Sequence, residues 1–209
     1  HNLPFLSAVM DHPRFVEGAI TTAFIAEEYP EGFQGVTLPE GALRKVAAAA
    51  AAMNRVAEIR RTRITGRLGN HERQVGDDWV VSLQNEAITV KVAADREGAT
   101  VHFDDGTTHR VTSDWTPGQS LARLLVDGEA VVLKVGKIPG GFRIRTRGAD
   151  LKVHVRTPRQ AELARLMPEK AAPDTSKFLL CPMPGLVVKI SVEAGQEVQE
   201  GQALATVEA

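Results

Sequence analysis

The side chains that could do chemistry are few and scattered. Histidines stand at positions 1, 12, 71, 102, 109 and 154. No two are four residues apart and none sits in a carboxylate cluster of metal-ligand spacing, so they read as surface imidazoles and no metal site is assigned. Cys181 is the single cysteine, which excludes an internal disulfide framework and a thiolate metal cluster and suits a reducing compartment. Pro139, Gly140 and Gly141 have the glycine density of a phosphate loop, but no Gly-Lys-Ser/Thr follows, so they read as a hairpin turn. Arg143, Arg145 and Arg147, two residues apart, would line one face of a strand and could track phosphates. Nucleic-acid readers also interleave aromatics and carry a basic excess, whereas only Phe142 is near and the formal net charge is -1. The stripe reads as a solvated strand face or a surface meeting a protein partner. Trp79 and Trp115 read as core or rim fillers of strands. No catalytic residue is assigned.

The elements that hold these residues fall into four zones. The chain has 209 residues, 43% of them hydrophobic and 24% charged, enough for one or two domains. A near-neutral balance and a pI near 6.7 give no reason to expect nucleic acid or an anionic membrane as partner. The longest apolar run, 46–53 around the alanines 47–52, is far short of the ~20 residues that cross a bilayer. In 2–28, apolar residues recur at three- and four-residue spacing around the Asp11-His12-Pro13 break, which predicts two short helices. They carry too few apolar residues to close a core and are expected to pack on something outside the chain. With His1 in place of an initiator methionine, this zone reads as the tail of another domain in a chain cut from something longer.

A Gly- and Pro-containing link at 29–38 precedes the clearest helix, about 39–64. Pro39 and Glu40 stand at its start and Arg60, Arg61 and Arg63 at its end, as the helix dipole favours. Val46, Ala50, Met53, Ala57 and Ile64 fall near one stripe, and the alanines make the rod slim on every side. From 78 to 157 the period becomes that of strands, with runs at 79–83, 87–92, 100–103, 107–112, 121–126, 130–135, 142–146 and 151–155. Asp105-Gly106, Pro117-Gly118, Asp127-Gly128 and Gly140-Gly141 supply turn chemistry between them. Eight strands in an antiparallel meander, with no crossover helices, favour a closed barrel because closure removes exposed edges. The slim helix is expected against or inside that barrel, whose interior is narrow. After a polar link with a helical turn or two, 178–209 returns to short strands and glycine turns. The fold class is α+β, mainly β: a long central helix with an eight-stranded antiparallel β-barrel, flanked by a helical domain tail and a half barrel.

In that last zone the order Pro182-Met183-Pro184-Gly185, Val192, Gly195, Val198, Gly201, Leu204, Val207-Glu208-Ala209 resembles the first half of a biotinyl carrier domain. There glycines turn very short strands of a flattened barrel and the apolar residues fill its thin interior. The Pro-Met-Pro opening and Glu-Ala ending favour biotin over the related lipoyl carriers. At the other end, Asn2-Leu3-Pro4-Phe5-Leu6, His12-Pro13-Arg14-Phe15 and Thr22-Ala23-Phe24-Ile25 resemble the final helices of a biotin carboxylase domain. The whole chain thus resembles the biotin-carrying α subunit of biotin-dependent acyl-CoA carboxylases. A helix-plus-barrel insert, with Ala161-Glu162-Leu163, Met167 and Glu169-Lys170 before the carrier, is similar to the propionyl-CoA branch of that family.

The resemblance implies four parts: 1–32, the tail of the biotin carboxylase domain; 33–170, a helix and barrel that mediates contact; 171–177, a linker; and 178–209, the first half of the carrier. It implies that the biotinyl lysine follows Ala209, that Lys177 and Lys189 do not replace it, and that 178–209 is mobile unless its second half is present. It implies a ligase that uses biotin, ATP, Mg²⁺ and bicarbonate to carboxylate propionyl-CoA to methylmalonyl-CoA, none of whose chemistry runs on these residues. The implied partners are a carboxyltransferase β subunit and the biotin carboxylase domain of the same polypeptide, in a hetero-oligomer, cytoplasmic in a bacterium or in the mitochondrial matrix of a eukaryote. The 65–77 connection is the longest inside the helix-and-barrel zone, and long loops in compact domains often carry function; it could equally be a plain surface loop. Because a hook-like loop at this level grips the carboxyltransferase subunit in the family, Arg67, Leu68, Asn70, His71 and Arg73 are the expected partner-binding residues. Two alternatives stay open, the same part of a methylcrotonyl-CoA or longer acyl-CoA carboxylase and a non-enzymatic β-barrel adaptor.

Overall fold

The computed structural model describes residues 2–63, 73–84, 86–168, 178, 180, 181 and 185–208. The chain divides into two units, His1–Met167 and Pro168–Ala209. In the first, three short helices, α1 (Leu3–Met10), α2 (Pro13–Val16) and α3 (Phe24–Glu28), precede the long helix α4 (Glu40–Thr62). Eight strands follow: β1 (Asp78–Leu83), β2 (Glu86–Ala94), β3 (Ala99–Phe103), β4 (Thr108–Ser113), β5 (Leu121–Val126), β6 (Glu129–Ile138), β7 (Gly141–Thr146) and β8 (Ala149–Arg156). A last helix, α5 (Pro158–Arg165), starts on a capping box in which the Thr157 hydroxyl accepts from the Gln160 amide.

Every neighbouring pair of strands is antiparallel, and β1 pairs with β8 through Val80 opposite Arg156 and Val81 opposite Val155, which closes the barrel. Strict alternation produces a lined interior. In β5, Ala122, Leu124 and Val126 are buried while Leu121, Arg123 and Leu125 face outward, and β8 buries Ala149, Leu151, Val153 and Val155 in the same way. The loops are as tight as this register requires. Asp127 (φ 53°) and Gly128 (φ 82°) join β5 to β6, and Arg147 (φ 47°) and Gly148 (φ 83°) join β7 to β8, both as two-residue turns with positive φ at each central position. The second of these has no Asn-Gly or Asp-Gly signature, which is why the turn signals in the sequence do not mark it.

Helix α4 lies inside the barrel rather than against it. Residues from Val46 to Asn54 are all buried, and Ala47 to Ala51 have no exposed surface at all. At 100° per residue, five consecutive covered positions leave no direction open to solvent, so the helix must be surrounded. It touches β1 to β5, β7 and β8. An eight-stranded barrel has an interior just wide enough for side chains, and alanine is the residue that lets a helix occupy it. The single apolar stripe expected from Val46, Ala50, Met53, Ala57 and Ile64 is therefore replaced by all-round burial; Ala57 is only partly covered and Ile64 falls outside the described residues. Met53, Leu133, Ile144 and the valines of β1 to β5 and β8 complete the core.

The N-terminal helices close a small aromatic cluster of their own, with Phe5 edge-on to Tyr29 at 5.3 Å and His12 edge-on to Phe24 at 5.1 Å. They were expected to pack on something outside the chain, yet they also rest on the barrel. A Cβ on Gly148 would lie 2.8 Å from Val36 Cγ2 and 3.0 Å from Ala8 Cβ, so the glycine admits this close approach. Leu3, Leu6, Met10, Val16 and Ile25 stay exposed. In the second unit β9 (Leu186–Ile190) and β10 (Ala205–Glu208) form a two-stranded antiparallel sheet with a register shift at Thr206/Val207. Gly195 and Gly201 turn at positive φ between them, and Leu186, Val187, Val188 and Ile190 are exposed. Pro182, Met183 and Pro184 fall outside the described residues.

Candidate functional site

The sequence singled out the connection between α4 and β1. Of its expected partner-binding residues, Arg67, Leu68, Asn70 and His71 lie outside the described residues, and Arg73 lies within them. Arg73 is half exposed, and its Nη2 donates to Oε2 of Glu58. Glu58 is 6% exposed, and its other carboxylate oxygen accepts from Arg61, one turn further along α4. One buried carboxylate thus holds arginines from both sides of the connection. A second tie lies below it, where Arg55 Nη1 donates to Asp77 Oδ1 and to the Gly76 carbonyl oxygen. The last turns of the enclosed helix therefore anchor the outgoing and returning limbs. Buried charges persist when paired and hydrogen-bonded, and Glu58 meets that condition. The sequence reading missed Glu58, because a glutamate three residues before an arginine reads as an ordinary solvent-facing helix pair.

The same end of the barrel opens into a cavity of about 1200 Å³. Its apolar wall includes Trp79, Trp115, Val135, Phe142 and Val155, and the tryptophans are 4% and 6% exposed. Trp115 stacks edge-on to Phe142 at 6.0 Å and donates its indole N–H to the Gln119 carbonyl at 3.0 Å. Trp79 differs, since its buried Nε1 has no acceptor among the described residues, and the Nδ2 of buried Asn54 is likewise without one. Arg60 donates to the Pro117 carbonyl, while Arg63 and Lys137 stand at the rim with no ion pair among the described residues.

Elsewhere the polar groups pair off. At the α4 N-terminal end, Arg44 binds Asp105 and lies over the Phe103 ring, and Lys45 binds Glu129. Asp105 is pulled down to about 2, first by the Thr107 hydroxyl and amide that donate to it and then by Arg44. Arg110 forks onto Asp95, whose carboxyl is held far below the usual range mainly by that guanidinium. Of the arginine stripe, Arg143 makes two 2.7 Å bonds to Asp150 and Arg145 one of 2.8 Å, so one carboxylate neutralises part of it and the solvated-face reading fits. His12, His109 and His154 are half-buried rather than surface imidazoles. His109 Nδ1 is 2.6 Å from Asp127 Oδ2, and burial pushes His154 below its ordinary value. The described residues hold no group of three or more His, Cys, Asp or Glu that could ligate a metal.

The family model of the propionyl-coenzyme A carboxylase BT domain matches residues 46–170, which hold most of α4 and the barrel. The propionyl-CoA carboxylase alpha chain of Ruegeria pomeroyi is 76% identical over the whole chain, and the mitochondrial alpha chains of Mus musculus and Homo sapiens are 36% and 32% identical over the whole chain. The chain spans about a third of the length of these relatives, 31% of the first and 29% of the other two.

Proposed function

This chain belongs to the propionyl-coenzyme A carboxylase BT domain family, and from that premise we propose that it is the docking and spacing part of a biotin-carrying α subunit. Its helix-filled barrel holds a carboxyltransferase β subunit and fixes the reach from the biotin carboxylase domain, for which 1–32 is the tail, to the carrier at 178–209. The parent enzyme is a carbon–carbon ligase that spends ATP with Mg²⁺ to carboxylate biotin and passes the carboxyl group to propionyl-CoA. The names of the relatives favour propionyl-CoA over methylcrotonyl-CoA or a longer acyl group, and the carrier-like and carboxylase-like ends favour an enzyme part over an adaptor. The mitochondrial relatives suggest the matrix for a eukaryotic source, and the Ruegeria relative the cytoplasm for a bacterial one.

The observation that carries this reading is the anchoring of both limbs of the 64–72 connection on an enclosed helix, by Glu58 and by Arg55. Loops carried on a rigid scaffold are common sites of recognition. Arg67, Leu68, Asn70, His71 and Arg73 are the contact residues proposed. Deleting 69–74 and measuring co-purification with the carboxyltransferase subunit tests it. The complex is expected to fall apart while the barrel still unfolds cooperatively, and an undiminished complex would refute the proposal.

A further inference from the structure

The ladders of the barrel are unequal. β4 meets β5 through three residue pairs, Val111–Val126, Thr112–Leu125 and Ser113–Leu124, and β8 meets β1 through three, Arg156–Val80, Val155–Val81 and His154–Ser82. Every other neighbouring pair of strands shares between four and six. The two short seams part the barrel into β1–β4 and β5–β8, and the halves begin on one pattern. Glu86-Ala87-Ile88-Thr89-Val90-Lys91-Val92 in β2 returns as Glu129-Ala130-Val131-Val132-Leu133-Lys134-Val135 in β6, with Val90, Val92, Leu133 and Val135 buried. The same offset takes Gln84 to Asp127, each at positive φ in the preceding turn, and buried Trp79, Val81 and Leu83 to buried Ala122, Leu124 and Val126. The seams themselves are not equivalent. Across β4–β5, Asp127 accepts from the Arg110 amide at 2.8 Å and lies 2.6 Å from His109 Nδ1, and the Ser113 hydroxyl donates to the Arg123 carbonyl. Only residues 114–120 separate those two strands. β1 and β8 lie at opposite ends of the barrel sequence, and their seam is bridged by α5, which touches both strands and buries Ala161. Eight residues are too few for a helix to stand alone, so α5 depends on its capping box and on that contact.

We infer that the β1–β8 seam is the line along which this barrel opens, that α5 is the strap holding it closed, and that the β4–β5 seam is the hinge. Opening there gives up one short ladder, leaves both four-stranded shells whole and uncovers one side of α4. Parting a ladder inside a shell would give up more pairs, and parting the β4–β5 seam would also give up the bonds of Asp127 and Ser113. Folded chains open locally in such cooperative pieces, at a free energy below that of global unfolding. This opening belongs to the chain by itself and does not rest on the docking function.

Hydrogen exchange of single amides in the full 209-residue chain tests it. Val155 donates its N–H to the Gly140 carbonyl at 3.0 Å, so by alternation along β8 the amides of His154 and Arg156 face β1, and those of Val80 and Ser82 face β8. Asp127 donates to the Arg110 carbonyl at 2.9 Å, so two residues back the amide of Leu125 faces β4 and that of Thr112 faces β5. The four amides of the β1–β8 seam are expected to exchange about tenfold or more faster than Leu125, Thr112 and the amides within either shell. Their exchange should depend little on urea, because opening one seam exposes little surface. T157A removes the hydroxyl of the capping box and should speed the four by about fivefold, the usual effect of losing such a cap, since α5 must release before the seam parts. If the four exchange no faster than the amides within the shells, the barrel opens only by global unfolding and the inference is overturned. If Leu125 and Thr112 are the faster pair, the opening line is the other seam and it is equally overturned. If the four are fast but T157A leaves them as in wild type, the seam opens without α5 and the strap is refuted.

Discussion

Enclosure of α4 predicts that Ala50 tolerates change in neither direction. Ala50 has no exposed surface, and its neighbours from Ala47 to Ala51 are equally covered, so no side of the helix offers slack. Removing its methyl in A50G forfeits about 0.8 kcal/mol of burial and about 0.8–1.0 kcal/mol of helix propensity, close to 2 kcal/mol together. Enlarging it in A50L forces three more carbons against the strands. Overpacking of this kind costs about 1–3 kcal/mol and more where the backbone cannot yield, as around a helix closed in by a barrel. For a unit of this size each kcal/mol lowers the thermal midpoint by about 2–4 °C. Both variants should therefore melt at least several degrees below wild type, with urea unfolding followed by far-ultraviolet circular dichroism giving the same order. Val56, 43% exposed on the same helix, supplies the control, and V56A should stay within about 0.5 kcal/mol. An A50L chain as stable as wild type would show room around the helix and refute the account of why the alanine run exists.

Two further outcomes follow from the ion pairs. Replacing Glu58 by Gln keeps its size but removes the charge that Arg61 and Arg73 share. With both arginines at least half exposed, the cost should be about 1–2 kcal/mol, between the values for exposed and buried pairs. Trypsin should then cut faster after Arg61, Arg63 and Arg73, and unchanged cleavage would show that the carboxylate does not hold the two limbs. Stability against pH should show two separate windows. Arg143, donating to Asp150, holds that carboxyl below its ordinary 3.8, so its contribution is present above that pH, is lost as pH falls through the folded-state value, and vanishes in D150N. Burial, then the charge of Arg156, holds His154 below 6.5. The folded state thus resists protonation there, and stability should start to decline as pH drops under 6.5 in wild type but not in H154Q, read from thermal midpoints along a pH series.

Local pattern carried most of the fold. The eight strand runs coincide with β1 to β8 to within a few residues, because alternation and turn residues act over two to four positions and do not depend on the rest of the chain. The long helix was legible for the same reason, through its charged ends and its alanines. The carrier-like order after Pro182 and the helix-and-barrel insert pointed to the family that the comparisons show. The candidate site was legible only as a loop of unusual length. Glu58 gave no signal, since burial of a carboxylate depends on what surrounds the helix and not on its neighbours in sequence.

The amino-acid sequence by itself determined the elements, their order and the kinship, all of which rest on short-range periodicity and on residue types at set spacing. Only the tertiary structure decided that α4 runs through the barrel, that β8 meets β1, that one buried carboxylate ties both limbs of the loop, and that the buried donors of Trp79 and Asn54 find no acceptor among the described residues. Those are consequences of enclosure. A slim alanine helix has the same local pattern outside a barrel as inside it, and the difference appears only when strands far apart in sequence close around it and withdraw water from every face.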